Sequence, residues 1–255
     1  MKRAVEASGD WFRIMFILMY EYFPGRYAVS KLGSVFAIFE PFAFIGLVAL
    51  VHSTTATAPP FGTSNTLFYA SGILPFYLFF HVSLRTRALE RLLTVPRSTL
   101  FDVLLANIID ELLTKIYIMT LCFTTLWFYG VPDAVPNDLA GCGLALLGLI
   151  LLGFSIGVFN AVVGSFFHGW HFLFAVISRT MMALSGIMTV MDTIPIQIRF
   201  LATYNPLAHA VTWFRVFFYV NYPHATLDVP YFLFASLAIL TFSLLAYNYT
   251  VEWRH

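Results

Sequence analysis

Long apolar stretches that contain no charged residue constrain this chain more than any other feature. Residues 139–163 and 231–249 are two such stretches, and their apolar side chains do not alternate with polar ones. A hydrocarbon core of ~30 Å requires roughly 20 apolar residues per helix. Because unpaired backbone groups are costly in lipid, only helices or closed barrels span it. With 60% hydrophobic and 11% charged residues, the sequence predicts an all-α polytopic membrane protein.

The apolar stretches predict six transmembrane helices within a single transmembrane domain over residues 1–255. We expect these spans at 33–51, 67–84, 101–128, 139–163, 172–191 and 231–249. Lys and Arg concentrate on the cytoplasmic side of membrane proteins. Ten of the 14 basic residues then share the side of the N-terminus, and only Arg199 and Arg215 fall in outer loops. The pattern predicts cytoplasmic termini.

Two amphipathic segments are expected outside the spans. Residues 10–23 are followed by Pro24, and their apolar run is too short to cross the membrane. This pattern favours an interfacial helix on the membrane surface. Residues 85–98 follow the second span and are the most basic part of the chain. Their leucines recur on one helical face. This segment either docks a cytoplasmic partner or anchors the topology against anionic lipid.

The segment 192–222 is too aromatic for an ordinary loop and is interrupted by prolines. Two helical pieces are expected, at 194–203 and 207–220, and both are too short to span. Asn205 and Pro206 are typical of a capped helix start. We interpret the segment as a pair of re-entrant outer helices. The alternative, a broken seventh span, would place the C-terminus outside, which Arg254 disfavours.

Ionisable residues within membrane helices are functional candidates. Glu40 precedes Pro41 in the first span, and its role stays open between structure and function. Glu111 and Lys115 lie one helical turn apart in the third span. Their order suits an intrahelical ion pair, which favours a structural role. Small residues at every fourth position from Gly153 predict close helix packing in the fourth span.

Motifs for enzyme chemistry do not occur in the sequence. There is no G-x-x-x-x-G-K-[ST] phosphate loop and no His followed five residues later by Asp. The spans carry no repeated carboxylate or His relay of the kind expected in a proton-coupled carrier. An ion-coupled secondary transporter and a membrane-embedded enzyme remain as alternatives. A neighbouring gene for a P-loop ATPase would argue against both.

Three stretches carry a resemblance to a known family: RYAVSKLGSVFAIFEP at 26–41, ASGILPFYLFF at 70–80 and YNPLAHAVTWFR at 204–215. The chain resembles the permease subunits of ABC-2-type polysaccharide exporters, and most of all capsular polysaccharide export permeases. Permeases for O-antigen, teichoic acid or small lipophilic cargo share these motifs and stay as alternatives.

The resemblance implies a homodimer that binds two copies of a separate cytoplasmic ABC ATPase, in the bacterial inner membrane. That subunit would carry ATP and Mg, and this chain would need no cofactor and no nucleic acid. The cargo would be a lipid-linked polysaccharide that passes on to envelope-spanning partners. The resemblance also assigns ATPase coupling to the segment after span two, with candidate residues Arg85, Arg87, Glu90, Arg91 and Arg97.

The resemblance further implies a channel at the dimer interface, lined by spans one, two and five. Sugar rings stack on aromatic faces, and basic residues can contact an anionic lipid–sugar linkage. The candidate path residues are Arg26, Lys31, Phe39, Glu40, Tyr69, Phe76, Tyr77 and Phe80. The candidates in the re-entrant segment are Asn205, Pro206, His209 and Arg215. Helix packing is the alternative role for the aromatic residues.

Overall fold

The computed structural model describes residues 31–54, 58–85, 100–167 and 169–252. These residues form eight α-helices and two short 3-10 turns, with no strand among them. The helices are α1 Lys31–Thr54, α2 Asn65–Arg85, α3 Leu100–Phe128, α4 Leu139–Phe166, α5 Trp170–Ala183, α6 Ile196–Thr203, α7 Pro206–Phe218 and α8 Val229–Glu252. The 3-10 turns are Pro132–Ala134 and Met191–Thr193. The expected all-helical fold is confirmed for this part of the chain.

Helix α2 is the centre of the bundle. It packs against α1, α3, α4, α5 and α7. In the segment Asn65–Leu84 of α2, 89% of the residues are buried, compared with 17% in the segment Val229–Tyr247 of α8. Helix α8 packs mainly on α4 and α7. A large apolar surface on α8 therefore faces outward, as expected of a helix bordered by lipid.

Within the described part of the chain, four helical segments are long and apolar enough to cross a membrane. They are Asn65–Leu84, Ile108–Phe128, Leu139–Phe166 and Val229–Tyr247. Two shorter apolar segments, Phe39–His52 and Phe172–Ala183, lie within α1 and α5. All six segments lie within the spans expected from the sequence or extend beyond them by only a few residues.

The fourth span packs closely on α2, as its small residues predict. A Cβ atom added at Gly153 would lie 3.1 Å from the carbonyl oxygen of Phe79 and 3.1 Å from side-chain atoms of Val82. About two turns further along, Asn160 Nδ2 donates to the carbonyl of Ser83 at 3.1 Å. The small residue permits the close approach, and the buried amide fixes the register of the two helices.

Helix α5 is shorter than the span 172–191 predicted from the apolar run. It ends at Ala183, and residues 184–190 form turns in which Gly186 has φ of 68°. A positive φ favours glycine because it has no Cβ. The chain therefore leaves the helix within a continuous apolar stretch, and the carbonyls it exposes require donors from elsewhere in the protein.

Helices α6 and α7 match the two short pieces expected in the segment 192–222. The side chain of Asn205 accepts a hydrogen bond from the backbone N–H of Leu207 at 3.1 Å and so caps α7. Pro206 occupies the first turn of that helix. The cap predicted from the Asn-Pro pair is confirmed.

Some predicted elements lie outside the described residues. These are the interfacial helix at 10–23, Arg26, and most of the basic segment after α2, including Arg87, Glu90, Arg91 and Arg97. Lys31 and Arg85 lie at helix ends, but the structure describes only their backbone.

Candidate functional site

A chain of polar side chains connects α1, α2 and α3 across an otherwise apolar bundle. The hydroxyl of Tyr77 donates to Glu40 Oε1 at 3.4 Å. Lys115 Nζ lies 5.7 Å from the centroid of the Tyr77 ring and 4.0 Å from Glu111 Oε2. His81 Nδ1 lies 3.7 Å from the same Glu111 oxygen. The intrahelical pair predicted from the sequence is confirmed, and it extends to residues on two other helices.

Burial separates this cluster into an inner and an outer part. Asp110, Glu111 and Lys115 are buried, with exposed fractions of 3% or less. Ionic groups at such positions are stable only when paired and hydrogen-bonded. The opposite charges of Glu111 and Lys115 offset each other at this site. The inner part of the cluster therefore holds α3 against α2.

The outer part of the cluster faces away from the bundle. Glu40 is exposed, as is Phe39 beside it, whose side chain is 60% exposed. Arg179 of α5 is also exposed, and α5 packs against α2. Among the side chains described on α1–α5 and α8, Glu40 and Arg179 are the exposed charges. Both lie on helices that pack against α2, and we refer to these two exposed positions together as the Glu40–Arg179 face.

The aromatic residues proposed on α2 all lie inside the bundle. Tyr69, Phe76, Tyr77 and Phe80 are at most 9% exposed. The rings of Phe76 and Phe80 stack at a centroid distance of 5.8 Å. In this arrangement these rings pack against neighbouring helices, and a role along a translocation path stays a prediction for them.

Arg215, from the third resemblance motif, is fully buried between α2, α7 and the turns after α5. Its Nη1 donates to the Gly186 carbonyl at 2.6 Å, and its Nη2 to the Phe68 and Ile187 carbonyls at 2.9 and 2.8 Å. Its Nε donates to Ser71 Oγ at 3.2 Å. The guanidinium carbon lies 3.9 Å from the centroid of the Phe68 ring.

These contacts give the buried cation a structural role. No carboxylate pairs with Arg215 among the described residues, so carbonyl oxygens and an aromatic face offset its desolvation. The two carbonyls of Gly186 and Ile187 belong to the turns where α5 has already ended. The guanidinium thus supplies the donors that a broken membrane helix requires.

The other residues of the third motif also support the segment between α5 and α8. Asn205 Nδ2 donates to Ser185 Oγ at 2.9 Å. His209 Nδ1 accepts from the backbone N–H of Asp228 at 3.1 Å, so the ring proton sits on Nε2 and donates to the Thr203 carbonyl at 2.7 Å. The motif therefore fixes α6, α7 and the start of α8 against one another.

Sequence reasoning missed two polar residues. His81 lies four residues after Tyr77 on α2 and reaches Glu111 of α3. Asn160 bridges the Ser83 carbonyl of α2 and the indole of Trp170, which donates to Asn160 Oδ1 at 2.9 Å. Both residues could have been identified in the sequence as single polar side chains within apolar runs. A polar side chain in a membrane helix usually pairs with another polar group.

Comparison with known proteins gives consistent matches over most of the chain. The family model described as ABC-2 type transporter matches residues 15–219. Two curated relatives carry the name polysialic acid transport protein KpsM, both from Escherichia coli. One is 25% identical over 231 residues and the other 24% identical over 227 residues, and each match covers 88% of both chains.

Proposed function

Because this chain belongs to the ABC-2 type transporter family, we propose that it is the membrane-spanning permease subunit of an ATP-driven exporter for a lipid-linked polysaccharide. The relatives named for polysialic acid transport support a polysaccharide cargo, since they align over 88% of this chain. The capsular branch of the family is our preferred assignment. The bundle described here supplies the spans, and a separate ATPase subunit supplies the hydrolysis.

The proposed topology has six spans, formed by α1–α4, by α8, and by α5 together with the apolar turns that continue it to residue 190. Helices α6 and α7 have 8 and 13 residues, compared with roughly 20 needed to cross a bilayer. We therefore place them as re-entrant helices on the outer side. An even number of spans keeps both termini cytoplasmic, as the distribution of Lys and Arg favours. The membrane is the bacterial inner membrane.

The observation that carries the proposed path is the Glu40–Arg179 face. A charge exposed on a membrane helix must meet water, a ligand or a partner side chain rather than lipid. Glu40 and Arg179 flank α2 from α1 and α5, the helices that resemblance assigns to the channel. We place the translocation path at this face, closed on its other side by a second copy of the chain.

The segment between α2 and α3 is the proposed docking site for the ATPase subunit. It joins the two helices that the buried Glu111–Lys115 pair and His81 hold together. A displacement of this segment would therefore move α2 and α3 as a unit. In the homodimer, two such segments would receive two ATPase subunits.

Deletion of the gene, with complementation by this chain, tests the function. We expect the deletion strain to retain the lipid-linked glycan on the cytoplasmic side of the inner membrane, and complementation to restore it to the cell surface. The double variant Arg87→Glu and Arg91→Glu should insert normally but fail to restore export. It should also lose the ATPase subunit on purification or leave hydrolysis uncoupled from transport. Unchanged glycan localisation in the deletion strain would refute a role in polysaccharide export.

A further inference from the structure

A cavity of about 580 Å³ opens sideways between the outer halves of α3 and α4. Its floor is Phe214 of α7, and one end is closed by the connection 132–138. The cavity exists because α3 packs on α2 and on the turn Pro132–Ala134 rather than on α4. At Gly143 of α4, an added Cβ atom would meet no other atom within 4 Å. The two helices thus leave open space where neighbouring spans usually touch.

The chemistry of the walls selects the occupant. The lining carries no charged residue, and Thr120 and Thr124 supply its hydroxyl groups. Such a wall offers too few hydrogen bonds for a sugar. Apolar cavities stay dry and take up apolar molecules, as when an engineered cavity of roughly 150 Å³ binds benzene. This cavity is several times larger, which suits a longer hydrocarbon.

The position of the cavity points to the same class of ligand. It lies between two helices long and apolar enough to cross a membrane, so its mouth meets the hydrocarbon of the bilayer. Trp127 lines it at the end of α3, and Phe128 and Tyr129 follow, all three exposed. Aromatic residues of this kind mark the membrane–water interface. A lipid bound here would place its headgroup near these rings.

We propose that this cavity binds one acyl chain of a membrane phospholipid, in the leaflet on the side of the connection between α3 and α4. None of its lining residues lies on α1 or α5, so the site is separate from the Glu40–Arg179 face. The bound chain fills the gap between α3 and α4 and completes the packing of that side of the bundle. The proposal requires that α3 and α4 span the membrane, and it does not depend on the identity of the cargo.

Photo-crosslinking in reconstituted vesicles tests the site. The full-length chain, with its partner subunits, is placed in phosphatidylethanolamine vesicles doped with a phospholipid that carries a diazirine on one acyl chain. Mass spectrometry then maps the adducts. We expect adducts concentrated on cavity residues such as Met119, Phe123 and Leu146, above the level at Phe234 and Phe242 of the outward face of α8. Equal labelling of the two regions would overturn the proposal.

Two variants that fill the cavity sharpen the test. Gly143→Leu fills it from α4 and Thr120→Phe from α3, and both positions are exposed. Each should abolish the cavity adducts and leave those on α8 unchanged. Gly46→Leu on α1 is the matched control, because a Cβ atom there also meets nothing within 4 Å. Persistence of the adducts in both filled variants would refute the site.

Two further arms identify the source of the occupant. Native mass spectrometry of the exporter from cells that make no lipid-linked glycan should still show a retained phospholipid. Loss of the bound lipid in those cells would assign the cavity to the cargo anchor and overturn the proposal. Cross-links from the cavity residues to a second copy of the chain would likewise overturn it, since protein would then fill the gap.

Discussion

The Nη1 atom of Arg215 lies 2.6 Å from the carbonyl oxygen of Gly186, a residue 29 positions earlier in the chain. Gly186 has φ of 68° and belongs to the turns that end α5. A non-helical backbone at membrane depth is tolerated only when protein groups satisfy its hydrogen bonds. This contact therefore explains how α5 can stop within an apolar stretch that would otherwise continue as a helix.

We expect Arg215→Lys to destabilise the protein strongly. The guanidinium bonds to three carbonyls at once, and a single ammonium cannot reach them in the same geometry. Each buried carbonyl that loses its donor costs about 1–3 kcal/mol. Thermal unfolding of the purified protein in detergent measures the loss. Arg179→Lys, at an exposed position of α5, should unfold at the wild-type temperature; equal stability of the two variants would contradict the role of Arg215.

Gly72 supplies the space that Arg215 occupies. A Cβ atom at Gly72 would lie 2.5 Å from Nη2 of Arg215 and 3.1 Å from a methyl carbon of Ile187. Gly72→Ala should therefore lower the free energy of unfolding by about 1–3 kcal/mol. Gly46→Ala in α1, where nothing lies within 4 Å, should raise it by about 0.5–1 kcal/mol because alanine favours the helix. A gain in stability in both variants would show that the structure relieves the clash at Gly72 without cost.

Much of the architecture follows from local patterns in the sequence. The apolar runs predicted where the long helices lie, because burial in lipid requires continuous apolar stretches. The Asn205–Pro206 pair predicted the start of α7, because its capping interactions involve neighbouring residues only. Gly153 predicted close packing of the fourth span, and the structure places it against Phe79 of α2.

Contacts between distant residues could not be predicted in the same way. The early end of α5 depends on Arg215, which sequence reasoning had placed in an outer loop. The link between His81 and Glu111 depends on how α2 and α3 face each other, and helix periodicity alone does not determine that. The aromatic face of α2 was visible in the sequence, but its burial follows from five surrounding helices. Helix periodicity shows which residues share one face of a helix, but it does not show which other helix packs against that face.

Phe76 should behave as a packing residue when truncated. Its side chain is 3% exposed and stacks on Phe80. Phe76→Ala would leave a cavity at the centre of the bundle and should cost about 3–5 kcal/mol. Phe76→Leu retains most of the volume and should cost less. Thermal unfolding measures the loss of stability, and surface glycan per folded transporter measures export. If Phe76→Ala is as stable as the wild type yet exports poorly, the residue belongs to the translocation path.

The Glu111–Lys115 pair should show strong coupling in a double-mutant cycle. Both residues are buried, and removing one charge leaves the other without this partner. Glu111→Gln or Lys115→Met alone should cost about 3–5 kcal/mol, and the double variant less than the sum of both. Unfolding measurements on the four proteins give the coupling energy. Additive losses would mean that the two side chains act independently, in spite of their 4.0 Å separation.

Glu40 and Arg179 should affect export without affecting stability. Both side chains are exposed, and exposed substitutions usually change the free energy of unfolding by less than about 0.5 kcal/mol. If they face the translocation path, Glu40→Gln and Arg179→Gln should each reduce the export rate by about tenfold, which corresponds to about 1.4 kcal/mol in the barrier. Glu40→Asp and Arg179→Lys keep the charge and should retain most of the activity.

Thr241→Val, at an exposed position on the outward face of α8, is the control and should export normally. The measurement is surface glycan per folded transporter, with ATPase binding checked for each variant. Normal export by both neutral variants would place the translocation path elsewhere. A charged side chain that contacts the moving polar polymer cannot be neutralised without changing those contacts.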